Sequence, residues 1–465
     1  MSRLDPTPDE LRKLGTEALE LMIAHYAGLS GYRVSPDITS AAIREKIVEP
    51  LPPQPAAGED LLATIREVLI PATRHNGHPR FFGYVASPGT AIAAIGDMLT
   101  AMLNANVTAW RSAPAATEVE HLVVDWIKQM LGYPAEAFGI LTSGGSMANL
   151  SALATARTVQ AGNRVYVGSN VHFSIDKAAR LLGLHVVTVG TDALHRLDVD
   201  QLRLAIAADR EAGLNPLAIV ASAGATSTGA FDQLDQIAAI AEAYNLWLHV
   251  DAAYGGFAVL AKSARHLFAA IARADSVTLD PHKWLFLPAG CGCVLYKDPA
   301  HPQQAFHHDA DYTRVIGLEQ NEAFAFWDYG PELSRRFRGL SLWMLIKYVG
   351  AAELSEAVEM NLACAQHLAK LVEASEDFEL LAPVGLSIFC FRYKPRGFAG
   401  NLNLLNERIL VELARQGSSY LSNAMIHGQF ALRGCVLSYR TTFEDMQILL
   451  GDVRRAALEI EHHTH

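Results

Sequence analysis

The stretch RVYVGSNVHFSIDKAARLLGLHVVTVG, residues 164–190, decides the fold. Its first five residues form a short run rich in Val and Tyr that closes on glycine, as a buried strand does. A loop carrying His172 follows, then a helical pattern near 174–182, then His-Val-Val-Thr-Val at 185–189, a second strand. The rhythm repeats with a helix near 198–211, a strand at 217–221, a helix near 233–244 and a strand at 246–250. Strands joined through helices lie parallel, since only a long crossover returns the chain to the same edge. The expected class is α/β with a mostly parallel sheet, and ligands of such sheets gather at the strands' carboxyl ends.

Outside this region the chain changes character. Residues 8–27 and 59–70 read as amphipathic helices on either side of a proline-rich break at 49–55. They are too few to bury their own apolar faces, so they pack on the main body or on a second subunit. After 340 come helical segments (341–375), a strand at 387–391, a helix near 401–416 and a strand at 435–439, a small α+β domain. The expected division is therefore 1–75, 76–340 and 341–465.

Composition narrows the function. Thirty-eight basic against forty-nine acidic residues give a net charge of −11, which argues against a nucleic-acid binder. No apolar stretch reaches the roughly 18 residues of a membrane span, and MSRLDPTPDELRKLG lacks the apolar core of a signal peptide. Five scattered cysteines (291, 293, 364, 390, 435) read as free thiols in a reducing cytoplasm. Buried structural thiols are expected rather than a metal site.

Chemistry-bearing residues stand where strands end. Thr142-Ser143-Gly144-Gly145-Ser146 opens a helix, whose free N–H groups and dipole suit an anion, although such turns also cap helices with no ligand. His172 follows the strand at 164–168, and an exposed ring face there can stack on a flat ligand or simply be structural. Thr226 lies in a run of small and hydroxyl residues after the strand at 217–221. Asp251-Ala252-Ala253 follows the strand at 246–250, an acid with cleared space beside it. SVTLDPHKWLF, residues 276–286, carries Asp280, His282 and Lys283 into apolar surroundings. A lysine buried without a counter-charge loses its proton more easily and becomes a nucleophile, whereas most lysines reach the surface. An anion cradle, a ring-stacking histidine, an acid and an amine together are what pyridoxal phosphate requires.

On these motifs the chain resembles the pyridoxal-phosphate-dependent group II amino-acid decarboxylases, nearest to the aromatic-L-amino-acid branch. The likeness runs over nearly the whole chain and includes HPRFFGY (78–84), DAAY (251–254), DPHKW (280–284) and SRRFR (334–338). It implies the aspartate-aminotransferase fold: a mixed, mostly parallel large-domain sheet, a small C-terminal domain, an N-terminal helical segment and a homodimer. By the same resemblance Lys283 forms the Schiff base, Asp251 pairs with the pyridine nitrogen, and His172 stacks on the ring. Thr226 and Ala253 line the ring, Gly145 and Ser146 hold the phosphate, and His282 lies beside it. The implied reaction takes an L-amino acid to its amine and CO2 through a Lys283 aldimine and a quinonoid carbanion.

Two features depart from the family pattern. The tyrosine that supplies a proton to Cα in the family falls at Phe326, which cannot donate one; Tyr329 and Tyr312 are the alternatives. Related proteins with this exchange make aldehydes, so oxidative deamination stands as the alternative outcome. The substrate pocket expected from Tyr84, Val85, Asn106, Thr108 and Phe326 is also more polar than usual, with Asn76 nearby. An aromatic substrate leads, an acidic one is the alternative, and a silent binding relative or an aminotransferase fits the intact Lys283, Asp251 and His172 less well.

Overall fold

The computed structural model describes residues 4–308 and 322–462. Seven strands build the large sheet: β1 (Phe138–Thr142), β2 (Arg164–Gly168), β3 (His185–Val189), β4 (Pro216–Ser222), β5 (Trp247–Asp251), β6 (Ser276–Leu279) and β7 (Gly292–Tyr296). They lie in the order β1-β7-β6-β5-β4-β2-β3. Only β7 runs against its neighbours, pairing antiparallel with both β1 and β6. The sheet is thus mixed and mostly parallel, as expected.

The apolar strands follow from position. Residues of β5, β6 and β7 are all buried, while the edge strand β3 keeps His185 and Thr188 exposed. Helices cover both faces, so central strands read as unbroken apolar runs. Because β1, β2, β4, β5 and β6 point the same way, their carboxyl ends meet along one edge of the sheet.

A second, antiparallel sheet holds β8 (Phe378–Leu380), β9 (Ile388–Tyr393), β10 (Ser422–Ile426) and β11 (Gln429–Cys435), in the order β10-β11-β9-β8. The helices Leu402–Gln416 and Phe443–His462 complete this lobe. The last strand ends at Cys435 rather than continuing to 439, because the chain turns away to the helix Gly339–Glu373, whose Asn361 amide donates to the Ser438 carbonyl (2.8 Å). That long helical run is broken at Gly350, where φ is +81° and the backbone leaves the helical region.

Residues 81–82 belong structurally to the C-terminal sheet. The Phe82 N–H donates to Tyr420 O (2.8 Å), and the Cys435 N–H donates to Phe82 O (2.8 Å). Phe82 itself packs among Phe389, Phe391 and Leu432. The front helix Pro8–Gly28 starts with a capping box in which Thr7 and Glu10 satisfy each other's backbone N–H groups, yet it buries none of its residues. All five cysteines are buried free thiols. Among the described residues, no helix is long and apolar enough to cross a membrane.

Candidate active site

Five strand ends enclose one cavity of about 310 Å³. After β1, Ser143–Ser146 lead into the helix Gly145–Val159, whose first N–H groups have no partner within the helix. Gly144 takes φ +149°, and a Cβ on Gly145 would stand 2.8 Å from Asp280 Oδ2 and 3.1 Å from the Ala253 methyl. Glycine is required at 145 because three strand ends converge there.

After β2, His172 caps the helix Phe173–Leu182. Its Nδ1 accepts from the Ser174 N–H (3.3 Å) and sits 2.8 Å from Ser174 Oγ, so the ring carries its hydrogen on Nε2. Burial holds His172 below its ordinary range, which keeps the ring neutral near pH 7. After β4, Thr226 borders the cavity, its carbonyl accepting from Arg433 Nη2 (2.6 Å).

After β5, Asp251 accepts on both oxygens: Oδ1 from the Ala253 N–H (3.1 Å) and Oδ2 from Asn149 Nδ2 (2.9 Å). After β6, a single helical turn, Pro281–Trp284, presents His282 and Lys283. The His282 Nδ1–H donates to the Cys291 carbonyl (2.6 Å). Trp284 is fully buried, stacked on Tyr254 at 5.2 Å, and donates its indole N–H to Asn361 (3.0 Å). The turn that carries the lysine is thereby bolted to the long helix.

Lys283 is not alone in apolar surroundings. Its Nζ lies 2.9 Å from Oδ2 of Asp280, a residue only 1% exposed. The expectation of a lysine without counter-charge is corrected here, because a lysine this enclosed is held by an anion three residues before it. The other oxygen, Asp280 Oδ1, is buried without a partner.

All eight residues expected around a cofactor (Gly145, Ser146, His172, Thr226, Asp251, Ala253, His282, Lys283) line this cavity. The substrate-pocket residues divide. Tyr84 lies in an adjoining groove shared with His172 and Thr226, its backbone at φ +59° and its carbonyl held by Arg433 Nη1 (2.7 Å). Val85 packs half-buried against the main core. Asn106, Thr108 and Phe326 do not border the cavity. Phe326 is fully buried, its N–H on the Thr108 carbonyl (2.9 Å) and the Arg335 guanidinium 4.0 Å over its ring. Asn106 uses its side-chain oxygen to accept the Arg335 N–H (2.9 Å). Tyr329 stacks on Phe324 (5.3 Å) and lies tilted against Phe138 (4.4 Å), and it does not border the cavity. Tyr312 lies outside the described residues.

A helix start of two glycines and two serines, a carboxylate with donors on both oxygens, a neutral histidine and an amine share one cavity, and pyridoxal phosphate fits that set. Residues 42–394 match the family model of the pyridoxal-dependent decarboxylase conserved domain. The chain belongs to that family. Within it, the chain is 33% identical to an aromatic-L-amino-acid decarboxylase of Bacillus atrophaeus, covering 98% of this chain and 97% of the relative. It is 28% identical to a phenylacetaldehyde synthase of Petunia hybrida, covering 97% and 94%. A solved structure of Oryza sativa TDC with PLP and tryptamine superposes with a TM-score of 0.93 at 27% identity, covering 99% of each chain. As a pyridoxal-dependent decarboxylase the protein is a fold-type-I enzyme that uses pyridoxal phosphate.

Sequence reasoning gave no site role to four residues. Asn149, Asp280 and Tyr254 line the cavity, and Arg433 holds the carbonyls of Tyr84 and Thr226. Asp280 was within the motif around Lys283, but its pairing with Lys283 depends on the one-turn helix. Asn149 carried a signal, a polar residue one turn into the helix that starts at Gly145.

Proposed function

We propose that this protein decarboxylates an aromatic L-amino acid to its amine, with the cavity around Lys283 as the active site. The observation that carries the reading is the meeting of Lys283, Asp251, His172 and the Gly144–Gly145 turn in one enclosed space. Bound pyridoxal phosphate supplies the sink for the electron pair left when the carboxylate departs. Gly145 and Ser146 would hold the phosphate at the helix end, and Lys283 offers the amine that anchors the cofactor. Asp280 Oδ2, 2.9 Å from that amine, holds it in place. Asp251 would hold a proton at the cofactor's ring nitrogen, and His172, kept uncharged by burial, would offer its ring to the cofactor. Tyr84, in the adjoining groove, would border the substrate side.

The division into segments 1–75, 76–340 and 341–465 is part of this reading, with the first as the dimerisation element. Leu11 is 61% exposed on the front helix, and Met98 and Met102 are 60% and 68% exposed on the helix Ala91–Leu103. Such apolar surface supports a homodimer. Asn106 lines a separate pocket with Thr100, Asn104 and Arg335, apart from the cavity around Lys283. A cytoplasmic location accords with five buried thiols.

Aldehyde formation is the second reading, favoured by one observation: Phe326 has no proton to give, and neither it nor Tyr329 borders the cavity. Incubating the protein with L-tryptophan, L-tyrosine, L-phenylalanine and L-glutamate separates the readings. Amine and CO2 in equal amounts without peroxide are expected. Peroxide and aldehyde rising with turnover would establish the second reading, and turnover of glutamate alone would overturn the aromatic assignment.

A further inference from the structure

Behind Asp251 lies a chain of hydrogen bonds that the reaction does not touch. The indole N–H of Trp247 can only donate, and it lies 2.8 Å from Ser276 Oγ. Ser276 therefore accepts there and has its own hydrogen free for His249 Nδ1, 2.9 Å away. With Nδ1 accepting, the hydrogen of the neutral ring sits on Nε2, which lies 3.0 Å from Asn149 Oδ1. The oxygen end of Asn149 is thereby claimed, and its NH2 faces Asp251 Oδ2 (2.9 Å) and Ser174 Oγ (3.0 Å). His249 has no exposed surface, and Asn149 is 1% exposed.

We propose that His249 is a positioning residue that fixes the amide of Asn149, so that its NH2 rather than its oxygen meets Asp251. The two ends of an asparagine amide have nearly the same shape, so packing alone does not choose between them. A flipped amide would set oxygen against the carboxylate and repel it. With the Trp247 N–H given to Ser276 and the Asn149 NH2 given to Asp251, the row runs in one sense from end to end, and burial keeps the His249 ring neutral. The proposal rests on the reading of Asp251 as partner of the cofactor's ring nitrogen.

The test compares pyridoxal phosphate with its analogue in which C–H replaces the ring nitrogen, titrated into the full-length apoprotein. Binding is followed by tryptophan quenching and by the absorbance of the lysine adduct. His249→Phe keeps a ring but loses the N–H. It is expected to weaken pyridoxal phosphate by about tenfold or more while changing the analogue by less than about twofold. His249→Gln, which has an N–H to offer, should recover most of the loss. Should His249→Phe fail to fold by circular dichroism, Ser276→Ala frees the same tautomer and is expected to show the same selectivity. Equal weakening of both ligands, or none, overturns the proposal alone. A wild-type protein that binds neither ligand overturns the cofactor reading and the proposal with it.

Discussion

Asp251 carries two hydrogen bonds before any ligand arrives, from Ala253 N–H and from Asn149, and both aim its remaining lone pairs into the cavity. Asp251→Ala should leave the cofactor attached through Lys283 while lowering kcat by about a hundredfold or more, the scale expected when charge stabilisation at the reacting centre is removed. Absorbance of the bound cofactor together with steady-state rates checks this; an unchanged kcat would remove Asp251 from the mechanism. Asp251, His172 and Lys283 were legible through their combination near strand ends, since each alone has a commoner structural reading. His249 was not, although it stands two residues before Asp251 on the same strand and so shares its face. That spacing was the available signal. Its partner Asn149 lies a hundred residues away, and nothing local in the sequence connects them.

At the scale of elements, the SRRFR motif is an anchor. Arg335 is buried against Glu120, and its guanidinium also donates to the carbonyls of Val107 (3.1 Å) and Leu141 (2.7 Å). Glu120 Oε1 in turn accepts the Leu141 N–H (2.9 Å). This pair ties β1 to the segment at 104–108 and to the chain after residue 322. Removing one partner leaves a buried charge, so Glu120→Leu or Arg335→Met alone should cost about 3–5 kcal/mol. The double variant should be less destabilised than either single one in urea melts; additive losses would refute the coupling. Gly350 joins two helices at φ +81°, and Gly350→Ala should cost about 1–2 kcal/mol by the same measurement. Parallel strands were legible because they are buried on both faces and end in small or charged residues. The direction of β7 was not, since Cys291-Gly292-Cys293 reads as a strand either way. The β10–β11 hairpin was passed over because His427 hides a turn usually marked by Asn or Asp before Gly. His427 and Gly428 both take positive φ, +49° and +77°, as a two-residue hairpin requires.

For the whole molecule, two outcomes follow from buried histidines and exposed apolar side chains. His249 and His78 are both pushed down to about 4, mainly by burial. The unfolded chain takes up these protons near pH 6.5 and the folded chain only near 4, so in between the unfolded state binds more protons. Their contribution is fully present above about pH 6.5 and is lost as pH falls toward 4. The melting temperature should therefore drop between pH 7.5 and pH 5, and His249→Gln should flatten that drop. On the proposed homodimer, Met98→Glu combined with Met102→Glu should yield monomers in sedimentation velocity; an unchanged sedimentation coefficient would place the proposed interface elsewhere. Finally, the pairing of Phe82 with both Tyr420 and Cys435 sets an order on biosynthesis. Translation delivers Phe82 early and its partners more than three hundred residues later, so the lead-in to Tyr84 has no strand to join until β11 has left the ribosome. A nascent chain can assemble the large sheet and its lysine turn, yet the groove wall at Tyr84 stays unbuilt until translation is nearly complete.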